Sequence, residues 1–120
     1  MKVIPTNLLF FANGFTLTPN IILVQPSYIN NISLIEHEKV HAKQMIDEGG
    51  VFIFYFKYVF SRKFRLEKEA EAYATSIKFK YPTTESDKEI YLDIYGDLLS
   101  KEYFLGKTKE ECKESIRGWL

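Results

Sequence analysis

Residues 33–47 read SLIEHEKVHAKQMID, and both histidines of the 120-residue chain fall inside them, at 37 and 41. Leu34, His37, His41 and Met45 recur at helical spacing, and Gly49 with Gly50 supplies a stop. Ser33 and Glu36 have the S-x-x-E form of a capping box, so the expected helix covers 33–48. Residues four apart on a helix lie one above the other on one face. Two imidazoles so placed can share one Zn²⁺ at the bond length of about 2.0–2.1 Å that zinc–nitrogen ligation requires. Glu38 follows the first histidine directly, beside the ion without ligating it, where a general base takes a proton from a zinc-bound water.

Working outward, residues 1–31 contain short runs rich in β-branched and aromatic side chains, Asn7 to Phe11, Phe15 to Thr18 and Ile21 to Val24. Asn13-Gly14 and Pro19-Asn20 punctuate them, which predicts a small antiparallel sheet of two or three strands packed on the helix. Prolines on both sides of Ile21–Val24 suggest a sheet edge, and an edge beside a metal cleft could take up an extended peptide. Val51 to Tyr58 reads as a short helix. Residues 64–81, FRLEKEAEAYATSIKFKY, read as a longer one built from strong helix formers. On it Glu67, Ala70, Glu71 and Ala74 make a narrow face of two carboxylates and two small residues. Such a face is ordinarily solvated. A two-histidine site in a chain with no further histidine needs a carboxylate as third ligand, and this helix offers one. Two more helices are expected over 85–119, with Thr108 and Glu111 capping the last. The predicted fold is therefore α+β, one domain over 1–120, with a small N-terminal sheet and a mostly helical remainder.

These two helices together resemble the zincin metallopeptidases on the gluzincin side. In several such families the second helix carries E-x-E-A-D-x-F-A, in which the first Glu binds zinc and the Asp orients a ligating histidine. The resemblance aligns Glu67 with that ligand and Glu71 with the orienting acid, while Tyr73 and Ala74 match the aromatic and the alanine. It implies a zinc-dependent peptidase of the minimal type found among small bacterial and phage proteins, with His37, His41 and Glu67 as metal ligands and Glu38 as catalytic base. It covers roughly a third of the chain. Two departures bear on it. Glu at 71 is longer than the usual Asp, so Glu71, or after it Glu69, is an alternative ligand. Asp47 stands at the third-ligand spacing of the metzincin pattern, but Gln44 occupies the position where that pattern needs a turning glycine.

Composition bounds the alternatives. Sixteen Lys and Arg balance sixteen Asp and Glu, so no global field draws the protein to nucleic acid or membrane. The lone Cys112 cannot form an internal disulfide, no targeting segment is evident, and the longest apolar run is half a membrane span. The expected setting is cytoplasmic and the expected partner a peptide or protein substrate, with neither nucleic acid nor membrane. The competing function is a non-catalytic, zinc-stabilised interaction protein of phage or bacterial origin.

Overall fold

The computed structural model describes residues 1–9 and 12–120. Three strands, β1 (Lys2–Pro5), β2 (Gly14–Thr18) and β3 (Ile21–Val24), precede a 3₁₀ turn at Pro26–Tyr28. Five helices follow: α1 (Ile32–Asp47), α2 (Val51–Phe60), α3 (Arg62–Lys78), α4 (Glu85–Glu102) and α5 (Lys109–Arg117). The α+β class expected from the sequence is the class observed.

The sheet is mixed, not antiparallel. Its order is β1-β3-β2, with β1 parallel to β3 and β2 antiparallel to it. Ile21–Val24 is thus the central strand and not an edge. Pro19 and Pro26 both lie outside it, so its own amides remain available to partners on either side. Ile22 and Val24 alternate into the core and are fully buried. In the expected run Asn7–Phe11, Asn7 and Leu8 form a turn, while Phe10 and Phe11 lie outside the described residues.

Helix α1 begins one residue before the expected start and is capped differently. The Asn31 side chain accepts the Leu34 amide at 3.0 Å, which leaves the Ser33 hydroxyl for another purpose. Ser33 Oγ donates to the Ser76 carbonyl at 3.0 Å, and Ser76 Oγ donates to the Ser33 carbonyl at 3.2 Å. This reciprocal pair fastens α1 to α3 through buried, fully partnered groups. At the far end Gly49 adopts φ +97° and lets Gly50 cap the Met45 carbonyl.

The helical core joins Ala70, Tyr73, Ala74 and Ile77 of α3 to Leu92 and Leu99 of α4, Leu105, and Cys112 and Ile116 of α5. Cys112 is a core residue. The Thr108–Glu111 capping box is present in full. Among the described residues no helix is long and apolar enough to cross a membrane.

At Gly96 α4 passes close to α5, since a Cβ there would clash with Lys113 Cγ and lie 3.3 Å from the Lys109 carbonyl. Replacing Gly96 with Val should therefore force the helices apart and cost about 1–3 kcal/mol in urea denaturation. An unchanged denaturation midpoint would show that this crossing is not tight.

Candidate metal centre

The rotation of α3 about its own axis decides which carboxylate reaches the histidines. Ala70, Ala74 and Ile77 turn toward α4 and α5, because there they bury fully against leucine and isoleucine. The adjoining face, about a quarter turn round, carries Glu69, Tyr73 and Ser76 at i, i+4 and i+7 and meets α1. Glu69 Oε1 lies 3.2 Å from His37 Nε2 and 3.2 Å from His41 Nε2. All three side chains are buried.

Glu67, the ligand that the sequence motif favours, is solvent-exposed and takes no part in this cluster. Two residues correspond to about 200° around a helix, so placing Glu69 against α1 turns Glu67 away. Glu71 does not contact an imidazole either. It accepts from Gln44 Nε2 at 2.9 Å, and Gln44 Oε1 in turn lies 2.8 Å from His41 Nδ1. Glu71 thus acts on His41 through one intervening amide. Asp47 is exposed at the helix end.

The surrounding hydrogen bonds fix the ring nitrogens. Gln44 Nε2 donates to Glu71 and to the Lys68 carbonyl, so its oxygen is the acceptor facing His41 and Nδ1 carries the proton. Ser76 uses its hydroxyl proton on Ser33 and offers a lone pair to His37 Nδ1 at 3.4 Å. Both rings therefore point Nε2 at Glu69. Tyr58 donates to Glu69 Oε2 at 2.6 Å, and holds that carboxylate with Oε1 inward. The Tyr73 ring packs edge-on against His37 with centroids 4.5 Å apart. Sequence reading missed these partners, and only Gln44, three residues after His41 on one helix, carried a local signal. Thr16, Tyr58 and Ser76 come from other elements.

Glu38 belongs to the site without belonging to the Glu69 pairing. Its Oε1 accepts from Thr16 Oγ1 at 3.0 Å, and its Oε2 is 3.8 Å from His37 Nε2. Ligand atoms of His37, Glu38 and His41 all lie within 4.8 Å of one another. Gly14 passes close by, where a Cβ would come within 3.3 Å of Glu38 Cγ. The cluster opens onto a cavity of about 530 Å³. Gly14 to Thr16 of β2, Phe54, Tyr55 and Tyr58 of α2, and residues 101–104 complete its wall.

The donor set suits a zinc ion. A tetrahedron with arms of about 2.0–2.1 Å has edges of about 3.3–3.4 Å. The distances from Glu69 Oε1 to the two Nε2 atoms, both 3.2 Å, are close to such an edge. His37, His41, Glu69 and Glu38 all line the cavity. Comparison with known proteins found no matching family model, no similar curated protein and no similar solved structure.

Without a metal the cluster is an ion pair. Burial pushes His41 toward neutrality, but the charge and hydrogen bond of Glu69 outweigh it, with Glu38 and Gln44 adding to them, and raise its pKa from 6.5 to about 9. Burial likewise opposes ionisation of Glu69, yet His41 and His37 hold it well below the usual carboxylate range. Beside this charge and in the same burial, the Tyr58 hydroxyl is raised far above 10.

A raised folded-state pKa stabilises most below the unfolded value of 6.5 and loses that contribution as pH climbs through about 9. In chelator-treated protein the melting temperature should fall steadily across this window, and Glu69→Gln should flatten the dependence. A flat profile for the unaltered chain would exclude the ion pair.

Proposed function

We propose that the chain is a zinc-dependent hydrolase of the zincin type that cleaves peptide bonds, with His37, His41 and Glu69 as the metal ligands and Glu38 as the base. The observation that carries this reading is the position of Glu69 Oε1, 3.2 Å from the Nε2 atoms of both histidines. Bound Zn²⁺ would supply a Lewis acid that polarises a carbonyl and lowers the pKa of water.

The protein's own groups divide the remaining work. Gln44 and Ser76 hold the imidazoles in the tautomer that leaves Nε2 toward the ion. Tyr58 keeps Glu69 from rotating. Glu38, positioned by Thr16 at the cavity wall, takes a proton from water and returns it to the leaving amine. A peptide substrate suits the edge strand β2, whose residues 14–16 line the cavity and present an extended backbone template. A purely structural ion would close all four positions with protein groups and would have no use for Glu38. The single thiol, buried at Cys112, fits a cytoplasmic setting.

Glu69→Gln should weaken zinc binding by at least about 100-fold in titration calorimetry, whereas Glu67→Gln should leave it unchanged. Gln44→Ala should cost about 10–100-fold. The reverse ranking of Glu67 and Glu69 would overturn the ligand assignment. Glu38→Gln should keep the metal but lower hydrolysis of an unstructured protein about 10²–10⁴-fold. Undiminished hydrolysis would remove Glu38 as the base.

A further inference from the structure

We propose that the outer face of α2, together with Phe104, docks onto an anionic lipid surface. Of the ten residues of α2 only Phe54 is buried. Phe52, Phe56 and Phe60 follow at i, i+4 and i+8, forming one stripe that is 92%, 66% and 75% exposed. Ile53 and Val59 flank them, also exposed. An apolar row of this kind has no role in a surface that faces water alone.

The patch continues past the helix. Arg65 donates to the Tyr58 and Val59 carbonyls and, through Nε and Nη2, to the Tyr103 and Phe104 carbonyls. This guanidinium ties the end of α2 to the loop after α4. Phe104 is held there at φ +53°, a conformation that a bulky residue rarely adopts, with its ring 85% exposed. The loop backbone is thus tied to the end of α2, with Phe104 displayed to solvent.

Charge identifies the partner. Residues 51–66 carry Lys57, Arg62, Lys63 and Arg65 and not one acidic residue, in a chain whose total charge is zero. Lys57 is partly neutralised by Glu48 at 2.8 Å. Arg62 and Lys63 are exposed, and no carboxylate pairs with them among the described residues. Protruding aromatic side chains bordered by cations form the pattern of a helix lying flat in a headgroup layer. Ten residues extend only about 15 Å, which permits lying on a bilayer but not crossing it. A second copy fits less well, because a two-fold pairing through this face would set one cationic segment against another.

Phe104 also lines the cavity that holds the candidate metal centre, so docking would bring the cavity's mouth to the lipid surface. The docking itself does not depend on the zinc reading, and its test does not use hydrolysis.

The full chain should co-sediment with vesicles of phosphatidylcholine containing roughly 30% phosphatidylglycerol, and much less with phosphatidylcholine alone. Combined Phe52→Ser, Phe56→Ser and Phe60→Ser should weaken that binding on the order of tenfold or more while zinc affinity and the melting curve hold. Arg62→Glu with Lys63→Glu should remove the preference for anionic vesicles. Failure of the unaltered chain to bind either vesicle would overturn the proposal. So would equal binding by the triple serine variant, an anionic preference that survives charge reversal, or a concentration-dependent dimer that those serines abolish without any vesicle binding.

Discussion

A buried carboxylate held between two imidazoles is the constraint on which the rest of this structure depends. Glu69 is excluded from water, and an ionised carboxylate in that position is tolerable only if its partners are close and well oriented. His37 and His41 provide one side and Tyr58 the other. Each partner is in turn held by a group from elsewhere, Gln44 for His41 and Ser76 for His37. The arrangement matches the rotation that apolar burial gives α3, and the reciprocal Ser33–Ser76 bonds tie that helix to α1. Among the described residues no buried side-chain donor or acceptor is left without a partner, as a polar cluster of this depth requires.

On the proposed reading the same cluster can be stable with or without an ion. Without an ion, His41 bridges Gln44 and Glu69 through its two ring nitrogens, and the Glu69 charge favours its protonated form against the effect of burial. On the proposed reading Zn²⁺ takes the place of that inward proton, with little movement of the three donors. Proton and metal then compete for one nitrogen. Glu38 takes no part in the Glu69 pairing: it is tied to Thr16 on the sheet and lines the cavity wall, the position the proposed base requires.

Helix α2 links the interior chemistry to the outer surface. Phe54, Tyr55 and Tyr58 turn inward, where they line the cavity and hold both Glu69 and the β2 carbonyl of Thr16. Phe52, Phe56 and Phe60 turn outward. One ten-residue helix, apolar or aromatic but for Lys57, thus serves two faces. The zero net charge of the whole chain conceals the segregation of cations beside the outer one.

Much of the architecture was written locally. H-E-x-x-H on a helix, the double glycine after it and the Thr108–Glu111 box follow from period, capping and breaker residues, and a short helix over 51–58, observed to reach Phe60, follows from its place between two helices and the break after it. These are interactions between neighbours in the chain, so they survive without tertiary context. The face of the glutamate helix did not follow. Residues 67–71 hold three glutamates, and local spacing presents Glu67 and Glu71 as a natural pair. Burial of Ala70, Ala74 and Ile77 against α4 and α5 sets the actual rotation, and those residues stand at least fifteen positions from their partners in the chain. The central place of Ile21–Val24 was equally hidden, because β1 joins it only after the chain has returned through β2. Sequence alone determined that two histidines and a glutamate share one turn of helix. Only the packing of three distant helices decided that Glu69, and not Glu67, faces them, since a helix turns whichever side buries the most apolar surface.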